Sequence, residues 1–311
     1  MRRAGPLLST LLAVVALSAC GGGGGGDEAG GPSGLIEADG SSTVGPFASA
    51  AAQRFKEEEP DVNVTVGISG TGGGFERFCA GETDLSNASR EIEAEERQAC
   101  ADKGIAFTEF QVANDGIAVV VNMENDWARC LTVDQLKTIW GPSSKAKSWR
   151  DVDTSFPDED LKLFGPGTDS GTFDFFTEQI VGDEGASRSD YSASENDNVT
   201  VRGVAGEKGG LGYFGLSYFE ENRSQLKDLG VNDGAGCVKP TRKTVQDGSY
   251  KPLSRPLFIY AKNSSLKRPE VQAFLRFILD NGTQIADAAK FVPLTPEQKL
   301  QAESALDKAT S

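Results

Sequence analysis

Histidine is absent from all 311 residues. That absence excludes Ser-His-Asp and Cys-His activation of a nucleophile, and with them most zinc chemistry. No GxxxxGK[ST] segment is present to cradle the phosphates of a nucleotide. Gly165-x-Gly167 lacks the third glycine of the dinucleotide fingerprint, since Ser170 stands in its place. Cysteine is scarce and never forms a CxxC pair, so neither a metal nor a cofactor is expected. Carboxylates are plentiful, but no spacing singles out an acid–base pair, and most of them read as solvated surface. Beyond the first twenty positions no stretch is long and apolar enough to cross a bilayer. Positive charge is also in deficit, 31 Lys and Arg against 46 Asp and Glu, for a net −15. A nucleic-acid partner is therefore not expected, because such binding rests on neutralising phosphates with Lys and Arg. Any anion site in this chain has to work through local donors and not through the overall field.

What is present begins with a targeting segment. Arg2 and Arg3 precede a short apolar run from Leu7 to Leu17, the right size for a signal peptide and too short for a span. Leu17-Ser18-Ala19-Cys20 resembles a bacterial lipobox, which predicts a signal peptide over 1–19 and acylation of the Cys20 thiol. Residues 20–34 then read as a lipidated cysteine with a Gly-rich tether of about 20 Å typical reach. The expected location is outside the cytoplasm, anchored to the cell membrane as a lipoprotein. Residues 35–311 suffice for one large domain or two lobes. Setting Cys20 aside leaves Cys79, Cys100, Cys130 and Cys237, an even count in an exported chain. Two disulfides are expected, with three possible connectivities.

Four strand-to-helix junctions are rich in glycine and hydroxyls. Leu35–Ala38 is strand-like and runs into Asp39-Gly40-Ser41-Ser42-Thr43, after which Phe47, Ala48, Ala51 and Phe55 mark one helix face. Val62 to Ile68 alternates as a strand into Ser69-Gly70-Thr71-Gly72-Gly73-Gly74, where glycines let backbone N–H groups approach a ligand. Asp84 to Arg90 supplies Ser86, Ser89 and a cation. Gly165-Pro166-Gly167-Thr168-Asp169-Ser170-Gly171-Thr172 follows the short strand Leu161–Phe164 and precedes a helix carrying Phe173, Phe176 and Ile180. Strands alternating with helices imply a parallel sheet with ligands at its carboxyl ends. Helix starts that offer unpaired N–H groups suit an oxyanion.

Together with Gly210-Leu211-Gly212-Tyr213-Phe214 and Pro252-Leu253-Ser254-Arg255-Pro256-Leu257-Phe258-Ile259-Tyr260, these stretches resemble the phosphate-binding lipoproteins that feed bacterial ABC-type phosphate importers, the PstS type. The resemblance implies an α/β, two-lobed, periplasmic-binding-protein-like clamp. Each lobe would be a central, mostly parallel sheet flanked by helices, joined by a two-segment hinge near 112–116 and 252–256. Lobe one would combine 35–112 with 257–311, and lobe two would be 113–256. That division implies disulfides within lobes, Cys79–Cys100 and Cys130–Cys237, which leave closure free.

By position, the family's ligand loops fall on Ser42 and Thr43, on Ser69, Gly70 and Thr71, and on Ser170, Gly171 and Thr172. Ser89 and Arg90 follow from the third loop. The best-known branch has an arginine where this chain has Pro166, and an aspartate where it has Arg90. Arg90 is therefore expected to be the principal cation, and Asp115 or Asp169 the acceptor of the phosphate proton. The implied function is capture of inorganic phosphate and its delivery to a membrane permease, by a monomer and without catalysis. Another tetrahedral oxyanion such as sulfate is the alternative ligand, and a phosphate-ester hydrolase the alternative class.

Overall fold

The structure is a computed structural model that describes residues 31–168, 170–194 and 196–311. The expected signal segment, Cys20, most of the tether and Asp169 lie outside the described residues.

Period-two burial sets the first strand, β1 (Gly34–Gly40), in which Ile36 and Ala38 are buried while Leu35 and Glu37 are exposed. Helix α1 (Gly45–Glu58) carries Pro46 in its first turn, where the missing N–H costs nothing, and buries Phe47, Ala48, Ala51 and Phe55. The rhythm repeats through β2 (Val62–Val66), α2 (Gly70–Ala80), β3 (Leu85–Ala88) and α3 (Ala94–Asp102). The third junction differs from its sequence reading. Leu85–Ala88 is itself a wholly buried strand, and the helix starts only at Ala94.

The apolar run at Ile117–Val121 is the second half of a longer strand, β4 (Phe107–Asn122). Next come β5 (Cys130–Thr132), α4 (Val133–Trp140) and α5 (Trp149–Val152). Thr132 caps α4 by accepting the Gln135 N–H, while the Gln135 side chain accepts the Thr132 N–H. Strand β6 (Lys162–Gly165) leads to α6 (Gly171–Phe176), which runs on as a π-turn over Thr177–Val181. The chain continues through β7 (Ser192–Ala193), α7 (Asp197–Gly206), β8 (Gly210–Gly215), α8 (Leu216–Asn222), β9 (Leu226–Asp228), β10 (Gly230–Asn232) and β11 (Cys237–Val238). It ends with α9 (Arg242–Gln246), β12 (Ser254–Lys262), α10 (Pro269–Ala288) and α11 (Pro296–Thr310).

The main sheet has the order β2-β1-β3-β12-β4-β8-β6-β7, with β9 also on β4. Its flanks are parallel: β1 with β2 and β3, and β6 with β7 and β8. Its centre is antiparallel, because β12 runs against both β3 and β4, and β4 against β8. Strand β4 exchanges partners midway. Gly116 is opposite Ser254 of β12, whereas Ile117 is opposite Gly215 of β8. One core gathers Phe47, Phe55, Leu257, Phe274 and Ile278 beside the first half of β4. Another gathers Val119, Trp140, Phe176, Tyr213 and Tyr250 beside the second half. The cysteines join as Cys79–Cys100 and Cys130–Cys237. Among the described residues no helix is long and apolar enough to cross a membrane.

Candidate functional site

Parallel pairing of β1, β2 and β3 delivers three polar loops to one edge of the sheet. Those loops are laced together. Ser41 N–H donates to Asn87 O at 2.9 Å, and Ser69 N–H to Gly40 O at 3.1 Å. The approach demands glycine, since a Cβ on Gly40 would fall 2.2 Å from Asn87 O and one on Gly74 would fall 2.5 Å from Gly40 Cα. Asp39, 2% exposed, anchors the bend. Its carboxylate accepts the Gly40 N–H at 2.6 Å and the Ser69 hydroxyl at 2.9 Å, and it pairs with Arg77 of α2. Thr71 Oγ1 lies 3.1 Å from Ser89 Oγ and accepts the Ser89 N–H at 3.3 Å.

The fourth loop faces these from the other side. Ser170 Oγ accepts the Thr172 N–H at 3.2 Å and so caps α6. Gly171 packs against Thr43, whose Oγ1 is 3.5 Å from the Gly171 carbonyl oxygen.

Between the two sides stands Arg255, at the start of β12, with its side chain 10% exposed. Its Nη2 donates to Thr43 Oγ1 at 2.7 Å and to Gly171 O at 3.4 Å. Its Nε donates to Asp115 Oδ2 at 3.3 Å, and its guanidinium carbon lies 3.7 Å from the centroid of the Phe175 ring. Burial pulls the Arg255 pKa below the ordinary arginine value, against the opposing pull of Asp115.

A cavity of about 560 Å³ opens here, lined by Ser42, Thr43, Ser69, Gly70, Thr71, Ser89, Arg90 and Arg255. Asp174, Glu178, Glu184 and Glu91 also line it, so it is rich in hydroxyls yet rimmed by acid. A second cavity of about 330 Å³ is lined by Ser42, Thr43, Asp115, Ser170, Gly171 and Thr172. The residues singled out in the sequence thus surround two cavities that share Ser42 and Thr43, with Asp169 outside the described residues.

Arg90 lines the larger cavity, but its donors are engaged. Nη1 and Nη2 each donate to a Glu96 oxygen at 2.8 Å, and Nε lies 3.2 Å from Glu93. The bond to Glu96 raises the Arg90 pKa. Asp115 is likewise engaged, by Arg255.

Sequence reasoning missed Arg255, Asp39 and Phe175. Arg255 did carry a signal: it is a lone cation between Pro252 and Pro256 at the mouth of an apolar strand. Asp39 carried a weaker one, an acid directly ahead of a hydroxyl loop.

Residues 26–281 match the family model described as a PBP superfamily domain. Protein SphX of Synechococcus elongatus is 46% identical over 270 residues, covering 86% of this chain and 80% of that protein. The phosphate-binding protein PstS of Staphylococcus saprophyticus is 43% identical over 293 residues, covering 94% of this chain and 90% of that protein. A crystal structure of a possible phosphate binding protein from Planctomyces limnophilus superposes with a TM-score of 0.86 at 47% identity, covering 90% of this chain and all of that one. The chain belongs to the PBP superfamily and, within it, to the family of the phosphate-binding protein PstS.

Proposed function

We propose that this protein binds inorganic phosphate in the cleft between residues 35–112 with 257–311 on one side and 113–256 on the other. It would hand the ion to the membrane permease of an ABC importer, from outside the cytoplasm and tethered through acylated Cys20. The observation that carries this reading is the buried Arg255, which joins Thr43 of one hydroxyl loop to Gly171 of the opposing one. A guanidinium held in place by Asp115 offers an oxyanion a fixed, charge-assisted donor. Ser42, Thr43, Ser69, Thr71, Ser89, Ser170 and Thr172, with the N–H groups at Gly70 and Gly171, supply neutral donors around it. In this reading Arg255 carries the main positive charge, and Arg90 contributes less because Glu93 and Glu96 already occupy it. These groups hold an oxyanion without turning it over, so the protein is a binder and not an enzyme.

The relatives named above support phosphate over sulfate. Calorimetry of the ligand-stripped mature protein against phosphate, sulfate and arsenate tests the reading. Micromolar or tighter phosphate binding, about −8 kcal/mol or better, with sulfate bound far more weakly, is the expected result. Preference for sulfate, or turnover of a chromogenic phosphate ester, would overturn it.

A further inference from the structure

Ser69 has one hydroxyl proton, and it is directed away from the cavity. Its Oγ donates to Asp39 Oδ1 at 2.9 Å. The direction is fixed by chemistry, because a carboxylate ion-paired with Arg77 can only accept. The acceptor cannot swing away, since Asp39 is 2% exposed and also holds the Gly40 N–H at 2.6 Å. The Ser69 backbone is fixed too, by its N–H bond to Gly40 O at 3.1 Å. Towards the cavity that it lines, Ser69 therefore presents lone pairs only.

The neighbouring groups differ. Arg255 can only donate, and Thr43 Oγ1 accepts from Arg255 while donating to Gly171 O at 3.5 Å. A fully ionised tetrahedral anion has nothing to give an acceptor. A protonated one does. Asp115, beside the point where β4 exchanges partners, is engaged by Arg255 at 3.3 Å.

From this arrangement we infer that Ser69, oriented by Asp39, is the residue that accepts the proton of bound phosphate and so turns sulfate away. The inference rests on the phosphate reading above. Ser69 touches the ligand, and Asp39 acts through it as a positioning residue. The relay runs from P–OH to Ser69 Oγ, and from Ser69 O–H to the Asp39 carboxylate, with no bond to the ligand broken.

The experiment is paired calorimetry with phosphate and sulfate on the parent, Ser69→Ala, Asp39→Asn and Glu178→Gln. A parent that fails to bind phosphate overturns the proposed function itself. Given a parent that binds it, Ser69→Ala should weaken phosphate about tenfold by leaving the P–OH unpaired, with sulfate unchanged or slightly tighter. Asp39→Asn replaces the charged acceptor of the Ser69 proton by a weaker, neutral amide oxygen, so the serine proton is freer to turn towards a dianion and sulfate affinity should rise. A purely structural role for Asp39 would weaken both anions together and leave their ratio alone. The inference is overturned if Ser69→Ala keeps the parent's phosphate-to-sulfate ratio within about twofold. It is equally overturned if Glu178→Gln, at the acidic rim, collapses that ratio while Ser69→Ala does not. Should Asp39→Asn fail to fold, Ser69→Ala decides alone.

Discussion

Adding a single methyl group at Gly171 tests how closely the two sides of the cleft must meet. A Cβ there would lie 2.6 Å from Thr43 Oγ1 and 3.1 Å from both the Thr43 Cα and N. Ordinary carbon contacts lie near 3.5–4.0 Å, so the two sides have to part by roughly 0.5–1 Å. Two of the three offending atoms are backbone, so no rotamer change at Thr43 removes the conflict. Parting by that distance stretches the 2.7 Å bond from Arg255 to Thr43 Oγ1 to the limit of hydrogen bonding. A bond from a charged donor is typically worth about 1.5–3 kcal/mol. Gly171→Ala should then weaken phosphate binding about ten- to a hundredfold. Helix α6 itself should not suffer, because alanine is the better helix former at that position. The assay is calorimetry with phosphate, with far-UV circular dichroism as the folding control. A natively folded Gly171→Ala that binds phosphate as the parent does would refute the reasoning.

Arg255→Ala should cost at least about a hundredfold in phosphate affinity, and Arg90→Ala less than tenfold, the two compared by the same titration. The reverse order would return the main charge to Arg90. Replacing the Cys130–Cys237 pair by serine should cost more stability than replacing Cys79–Cys100, since the bridges span 107 and 21 residues. The chain-entropy model puts the two near 4–5 and 3 kcal/mol, measurable by urea denaturation. Asp247 is held at about 2 by bonds from Lys243 and Ser249. A depressed carboxyl stabilises above its unfolded value near 4 and loses that contribution as pH falls through the folded value. Lys243→Gln should therefore raise the Asp247 midpoint, followed by NMR titration.

The loops of the cleft were legible because their chemistry is local. Asp39 to Thr43, and Ser69 to Gly74, announce themselves by glycine and hydroxyl content within a few residues of a strand. Arg255 was not legible, because what makes it a site residue is contact with Asp115 and Thr43, 140 and 212 positions away. Only the crossing of β12 against β4 creates those contacts. The same crossing hid the first half of β4. Thr108, Glu109, Gln111 and Asn114 break the apolar pattern there, yet pairing with β12 holds the stretch as strand. Arg90 was recognised as a cation beside hydroxyls, but Glu96 was not recognised as its partner. Glu96 belongs to the capping box of α3, so its carboxylate was placed by the need to start a helix.

The β4–β12 pair has a mechanical consequence. Two flexible linkers would let the halves of the proposed hinge swivel freely, limited only by collision. Here the crossing is a hydrogen-bonded ribbon running from Phe107 opposite Lys262 to Gly116 opposite Ser254, with one irregularity between Leu257 and Phe258. A ribbon resists shear between its strands but accepts twist and bend, so the proposed motion would be confined to those soft directions. In the proposed clamp, closure about such a flexure would open no ladder, so the amide hydrogens bonded between β4 and β12 should stay shielded from exchange throughout the cycle. The bulge beyond Leu257 marks where the stiffness is lowest, and it lies in the strand that carries Arg255. Bending there would tilt the guanidinium together with the proposed lobes, so the cation proposed for the site and the angle of closure would move as a single mechanical coordinate.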